Sequence, residues 1–430
     1  MLKEKELAKI LFVPPNSREI AQFVLIKPEL ERLGGEVTTI ALNTKMETLL
    51  EQAGLRFERF KDYRSINMLD IVDEEKPDLV LTNPIGSFPV LDAFAIASNY
   101  RGIPCLQIYN GMVISSNAVV ERIPLRKPLQ KFIKRAVRTI TSASNVRSVL
   151  YFMATLKATS SIFRFLKILP SEILRLTFPI GRSFRYREGA NMVVHSHPAK
   201  DDFINLGWPP ERVFVVGQPR LDSIFRKDFD KDKFLSTLDI SRYKNIVLLA
   251  TQPLLSFWSW KDHKEFIAAI VTAIDNFPDE ELVIKLHPEE SLEDYQEILK
   301  ELDRESIRLY KDIDIYDLIN ACNLLMTTHS TTALEAMILD KPVLCIDFTG
   351  RCPISIYTDD EAAIGIHRQA DLTSAIDKAL HDPQTGQELE QGRKRFLSKN
   401  IYKPDGQTSK RVAELIIRLV REYKMDTTTT

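Results

Sequence analysis

Residues 283–288 read Val-Ile-Lys-Leu-His-Pro. Side chains alternate along a β-strand, so Lys285 and His287 would share one face, and Pro288, which cannot donate to a ladder, would end the strand beside them. Both then stand at a carboxyl edge of a sheet, where Lys and His suit a phosphate through charge-assisted hydrogen bonds of ~1.5–3 kcal/mol each. The same alternation also fits an edge strand with a solvated face. About forty residues on, apolar 323–328 runs into His329-Ser330-Thr331-Thr332 and then helical 333–339. Unbonded N–H groups and the positive end of a helix dipole converge on such a turn, and its hydroxyls add donors for an anion. Ser330 or Thr331 could equally be a plain helix cap, worth ~1 kcal/mol. Glu335, one turn in, would reach a diol beside the phosphate or simply complement the dipole.

Other residues sit at comparable junctions. Pro14-Pro15-Asn16-Ser17 ends one apolar run and opens a helical one, so Ser17 and Arg18 are ligand contacts or only a helix start. Gln252 and the aromatics Phe257, Trp258 and Trp260 follow another apolar run, with faces suited to stacking on a base or sugar, or to a satellite core cluster. His195 and His197 precede Pro198 and would again share a strand face. As a metal pair they lack a third ligand, and Asp312-Ile313-Asp314 resembles a metal motif only by letters, so no metal is expected.

The elements that must position these residues are short β-branched runs alternating with amphipathic helical stretches, the pattern of βαβ units and parallel sheets. One series of runs is 9–13, 37–42, 79–82, 104–108, 192–195 and 213–216; a second is 245–250, 281–286, 308–310, 324–327, 342–347 and 362–366. The prediction is an α/β protein of two Rossmann-like, doubly wound domains, 1–238 and 239–404, facing a cleft. Ligands of such sheets bind beyond the carboxyl ends of the strands. A final helix and tail, 405–430, could pack on either domain.

Length and composition agree: 430 residues suit two domains of about 200. A hydrophobic share of 44% with 27% charged residues excludes disordered and collagen-like classes. A net charge of −1 gives no overall attraction to nucleic acid. Four cysteines without a Cys-x-x-Cys pair exclude a disulfide scaffold. No apolar run approaches the ~18 residues of a membrane span and no secretory apolar region follows the N-terminus, so a cytoplasmic place is expected, free or on the inner face of the cell membrane. Charge is unevenly spread, with 15 Lys or Arg against 3 Glu over 121–190, a local +12 against −13 elsewhere. Bases alternate there with Phe132, Phe152, Phe163 and Leu166, which reads as a basic amphipathic helical insertion suited to an anionic membrane surface or a polyanionic partner.

Together, "KLHPEE" at 285–290 and "TTHSTTALEAMILDKPVLCID" at 327–347 resemble the carboxyl-terminal half of GT-B fold nucleotide-sugar enzymes. The nearest by pattern are bacterial surface-polysaccharide glycosyltransferases, including sialyltransferases and Kdo transferases; CDP-glycerol glycerophosphotransferases and UDP-N-acetylglucosamine 2-epimerases share parts of it. "VVGQPRLD" at 215–222 resembles the segment closing the first domain of that superfamily, and "KPDGQTSKRVAELI" at 403–416 the start of its last helix. The resemblance implies that His287, Ser330, Thr331 and Thr332 hold nucleotide phosphates and that Glu335 binds ribose; Lys285, His329 and Gln252 join the expected binding set by their own positions. It implies a pyrimidine nucleotide sugar as substrate and no separate cofactor.

"IPCLQIYNGM" at 103–112 resembles a stretch whose histidine faces the reacting centre in several relatives, but this chain has Asn110. Asn is no general base near neutral pH, which leaves Asp92, His195, His197 and Glu19 as candidates. The leading expectation is a metal-independent glycosyltransferase moving a sugar from a UDP- or CMP-sugar to a surface-glycan or lipid-linked acceptor. Alternatives are a UDP-sugar 2-epimerase, a CDP-alcohol phosphotransferase and a non-catalytic nucleotide-binding relative. The basic insertion argues against the epimerase, which needs no acceptor groove.

Overall fold

The computed structural model describes residues 7–83, 89–109, 143–177, 188–225, 229–242, 244–256 and 258–429. Most of its strands are short apolar runs covered on both faces, as parallel sheets require. The first sheet comprises β1 (Ala8–Val13), β2 (Gly35–Ala41), β3 (Glu58–Arg59), β4 (Leu79–Thr82), β5 (Cys105–Ile108), β6 (Ala190–Val194) and β7 (Val213–Val215). Their order is β3-β2-β1-β4-β5-β6-β7. The second comprises β8 (Asn245–Ala250), β9 (Glu280–Lys285), β10 (Arg308–Tyr310), β11 (Leu324–Thr327), β12 (Val343–Ile346) and β13 (Ile364–Ile366), in the order β10-β9-β8-β11-β12-β13. Every ladder is parallel, with Ile10 paired to Val37 and Leu79, and Leu248 to Val283 and Leu325. These are the two Rossmann-like sheets expected. In each, the winding reverses between the first and fourth strands, β1/β4 and β8/β11, which opens a crevice at their carboxyl ends.

The chain forms two compact units, Met1–Asp222 with Ile401–Thr430, and Ser223–Asn400. In the first, helices α1 (Ser17–Arg32), α2 (Thr44–Gln52), α3 (Met68–Glu75), α4 (Pro89–Tyr100), α5 (Ala143–Ala158), α6 (Ile162–Thr177) and α7 (His197–Asn205) flank the sheet. Alternation along β1 sends Ile10 and Phe12 to one core, with Phe23, Ile26 and Leu30 of α1, and Leu11 and Val13 to the other, with α3 and α4. Phe152 and Leu156 of α5 belong to that second core, and Thr155 Oγ1 accepts the Met68 N–H at 2.9 Å. Part of the apolar content of 121–190 therefore holds the domain together. On α6, by contrast, Ile162, Leu166 and Phe163, the last 84% exposed, face outward.

The second unit adds α8 (Lys231–Thr237), α9 (Trp260–Ile274), α10 (Leu292–Glu301), α11 (Ile315–Ala321), α12 (Thr332–Ile338), α13 (Leu372–His381) and α14 (Pro383–Asn400). The chain then returns to the first unit through α15 (Thr408–Thr429), whose Val412, Ile416 and Leu419 close the core around α1. Asp222 caps α15: its carboxylate accepts the Thr408 N–H at 3.0 Å and the Ser409 N–H at 2.6 Å. Gly217 lies at φ 112°, where a Cβ would stand 2.9 Å from the Thr408 side chain. Arg411 grips the Asp405 carboxylate with Nη1 at 2.8 Å and donates to the Val216 carbonyl at 3.1 Å. The segments 215–222 and 403–416 thus form one latch.

Candidate functional site

Both crevices are built with the same device. The last residue of the fourth strand is a threonine whose hydroxyl donates to the terminal carbonyl of the first: Thr82 to Val13 at 3.0 Å, and Thr327 to Ala250 at 2.9 Å. Beyond them the units diverge. In the second, Gln252 Oε1 accepts from the Thr328 hydroxyl and from the His329 N–H at 3.0 Å, tying the loops after β8 and β11 across the crevice. Ser330 holds the start of α12, its Oγ accepting the Thr332 N–H at 3.2 Å and lying 2.9 Å from the Thr332 hydroxyl. Thr331, at the cap position, makes no side-chain cap bond. The Tyr357 hydroxyl donates to the Ser330 carbonyl at 2.8 Å. Glu335 is buried in the first turn.

The loop after β9 is organised by a residue that sequence reasoning missed. Glu290 accepts from the Thr251 hydroxyl, from the His287 N–H at 3.0 Å and from the Tyr295 hydroxyl at 2.8 Å. Burial raises its pKa above the ordinary 4.5, against the pull of those hydrogen bonds. The Glu289 N–H donates to His287 Nδ1 at 3.2 Å, which leaves the proton of a neutral imidazole on Nε2. β9 ends at Lys285, so His287 lies in the loop just beyond the strand. The Lys285 ammonium donates to the carbonyls of Leu286 and Lys311, both at 2.8 Å, and burial lowers its pKa. Trp258 is core, edge-on to Phe266 at 5.2 Å, while Trp260 stacks on His263 at 5.7 Å. Asp314 caps α11 through the Tyr316 N–H at 2.8 Å, which accounts for the Asp-any-Asp letters.

In the first unit, Asn16 caps α1, accepting the Arg18 N–H at 2.8 Å, so neither Ser17 nor Arg18 is the cap. Glu19 is set beside Asn83, whose amide donates to Glu19 Oε1 at 2.8 Å and to the Ile108 carbonyl at 2.9 Å. This joins α1 to the ends of β4 and β5. Asp92 is buried in the first turn of α4. His195 and His197 do not share a strand face: β6 ends at Val194 and Ser196 caps α7, so strand alternation stops between them. His195 is buried, its ring stacked 6.0 Å from Tyr109, and His197 is exposed, edge-on to Tyr402 at 6.1 Å. Asn110 lies outside the described residues. Among the described residues no cluster of three His, Cys, Asp or Glu could hold a metal.

Two Rossmann-like domains of this kind define a GT-B-type α/β protein, and solved structures share the fold. A structure from Listeria monocytogenes assigned as a UDP-N-acetylglucosamine 2-epimerase superimposes with a TM-score of 0.62 at 14% identity, covering 97% of each chain. S. aureus MnaA, solved with UDP, gives 0.59 at 15% over 96% of this chain and 97% of that one. The UDP-GlcNAc 2-epimerase of Neisseria meningitidis, bound to UDP-GlcNAc, gives 0.58 at 14% over 95% and 100%. No curated protein sequence matches the chain. Residues 190–417 match the model of the UDP-N-acetylglucosamine 2-epimerase family, and the chain belongs to that family.

This corrects the glycosyltransferase expectation in favour of the epimerase weighed beside it. The expectation of an anion-holding edge at the HP and Ser/Thr motifs does not separate one nucleotide-sugar reaction from another. The objection drawn from the basic insertion also weakens, because Phe152 and Leu156 serve the core rather than a groove for an acceptor.

Proposed function

We propose that the protein binds a UDP-N-acetylhexosamine and inverts it at C2. The family match carries this reading, since it spans the whole second sheet with the loops bearing Gln252, His287 and Ser330. The nucleotides in the solved relatives named above, UDP and UDP-GlcNAc, support it. In this reading His287 Nε2–H, the Ser330–Thr332 hydroxyls and His329 face the phosphates, Glu335 the ribose, while Gln252 and Lys285 hold the loops in place. Inversion requires that the C2–H bond break on one face of the ring and reform on the other. No carbonyl adjoins C2, so the electron pair left there goes into a C1=C2 double bond as UDP leaves C1 with the C1–O pair, and UDP adds back to C1 as a proton is restored to C2; two proton-handling groups are needed. Glu19, held by Asn83, is the first candidate; Asp92, His195 and His197 are the others for the second. The test is incubation of purified protein with UDP-GlcNAc in D2O, followed by NMR. The expected result is UDP-ManNAc with deuterium at C2; starting material unchanged at both positions would refute the reading.

The outer face of α6 supports a peripheral contact with an anionic membrane. Ile162, Phe163 and Leu166 are exposed beside Arg164 and Lys167, and a base near such a surface contributes ~1 kcal/mol. No helix among the described residues is long and apolar enough to cross a membrane. Sedimentation with phosphatidylglycerol vesicles should pull down wild type and lose Phe163→Ser/Leu166→Ser; equal recovery with neutral vesicles would exclude it.

A further inference from the structure

We infer that Glu290 is a positioning residue that takes up a proton when a diphosphate settles on His287, an inference that rests on the proposed nucleotide site. The side chains form a hydrogen-bond circuit with two complete settings. As a carboxylate, Glu290 accepts at Oε2 from the Thr251 hydroxyl and from the His287 N–H at 3.0 Å, and at Oε1 from the Tyr295 hydroxyl at 2.8 Å. The first two donors each have a second acceptor in reach: the Thr251 hydroxyl lies 3.3 Å from the Lys285 carbonyl, and the His287 N–H 3.1 Å from Thr251 Oγ1. When Oε2 carries a proton, it donates to Thr251 Oγ1, the threonine hydroxyl turns to the Lys285 carbonyl, and the His287 N–H keeps Thr251 Oγ1 as its acceptor. Both settings satisfy every donor, so protonation needs only the rotation of one hydroxyl.

What changes is one negative charge beside the His287 N–H. Around that charge stand Tyr295 and Asp294 of α10, Lys285 of β9, Lys311 beyond β10 and, edge-on to the Tyr295 ring at 5.2 Å, His263 of α9. Lys285 and Lys311 donate to backbone carbonyls, and among the described residues neither forms an ion pair with the Glu290 carboxylate. Burial already holds the Glu290 pKa above 4.5. A diphosphate on His287 adds like charge and pushes the same way, so binding draws a proton from solvent. By linkage, the nucleotide then binds tighter as pH falls.

Titration calorimetry with UDP, in paired buffers of different ionisation heat across a pH series, counts the protons. Wild type should take up a fraction of a proton that Glu290→Gln does not, and uridine, which lacks the phosphates, should draw none through Glu290. In the variant the carbonyl keeps Thr251 and His287 while the amide NH2 meets the Tyr295 oxygen, so the circuit stays closed without the charge. It should bind UDP about tenfold tighter than wild type at high pH, the gap closing as pH falls through the folded Glu290 value. Equal uptake in both proteins, or weaker UDP binding by the variant at every pH, overturns the inference. A second measurement needs no nucleotide. With 15N-histidine labelling, the His287 amide signal should titrate with Glu290 in wild type, lose that inflection in Glu290→Gln and shift it to higher pH in Tyr295→Phe, which removes a donor to the carboxylate. The same amide titration in wild type and Glu290→Gln overturns the circuit, whereas a responsive amide in a protein that gives no heat with UDP refutes the nucleotide reading and not the circuit.

Discussion

Glu290 shows how much of the site turns on single residues whose role lies in their surroundings. Its folded pKa is raised by burial, so it favours the folded state below the unfolded value near 4.5 and loses that contribution as pH rises through the folded value. In Glu290→Gln the remaining carbonyl can still accept from Thr251 and His287. Wild-type stability relative to this variant should fall as pH climbs past the ordinary carboxylate value of 4.5 and level off once pH exceeds the raised folded value. Urea midpoints across that range provide the check, and a pH-independent difference would contradict the assignment. Sequence reasoning found His287 and Ser330 because Pro and a hydroxyl run mark strand ends and helix starts. It passed over Glu290 because a carboxylate after His-Pro looks solvated. It could not see the Glu19–Asn83 pair, joined across 64 positions by the fold alone.

At the scale of elements, the latch between β7 and α15 gives the segments 215–222 and 403–416 a mechanical role. Asp222 is buried and supplies both acceptors for the first N–H groups of α15. Asp222→Ala should cost ~2–4 kcal/mol, because it leaves two buried donors unmet, and Asp222→Asn should cost less. Chemical denaturation measures both, and a loss under ~0.5 kcal/mol for Ala would show that α15 is held by its apolar face alone. The strands were legible because parallel sheets bury both faces and turn each strand into an apolar run. β3, two residues long and exposed, gave no such run. α14 is largely polar and hid its role; its Gly392 lets the helix approach Glu361, whose carbonyl oxygen would lie 2.0 Å from a Cβ. In α5 the bases drew attention away from a buried face, since charge counted along a chain says nothing of which side packs.

The whole molecule carries an architecture that sequence could show and a reaction that it could not. Two runs of βα units announce two Rossmann-like domains, and the proposed anion-holding edge of the second rests on motif positions. In the proposed reading, inverting a sugar would call on groups such as Glu19 and His195, whose neighbours come from distant strands. Removing residues 401–430 should therefore unfold the first unit while sparing the second. Limited proteolysis of that truncated chain should cut within residues 7–222 and spare 229–400; resistance of both would show the last helix to be dispensable. The feature behind this, Asp222 reaching a helix that begins 186 residues later, also orders events at the ribosome. At ~5–20 residues per second, translation leaves roughly ten to forty seconds between the emergence of the two halves of the latch. Through that interval Phe23, Ile26 and Leu30 can meet Ile10 and Phe12 of the sheet but lack the cover of Val412, Ile416 and Leu419, while the second unit is complete once Asn400 emerges. The domain translated first is thus the last able to close, and its naked apolar face is what a nascent-chain chaperone would meet.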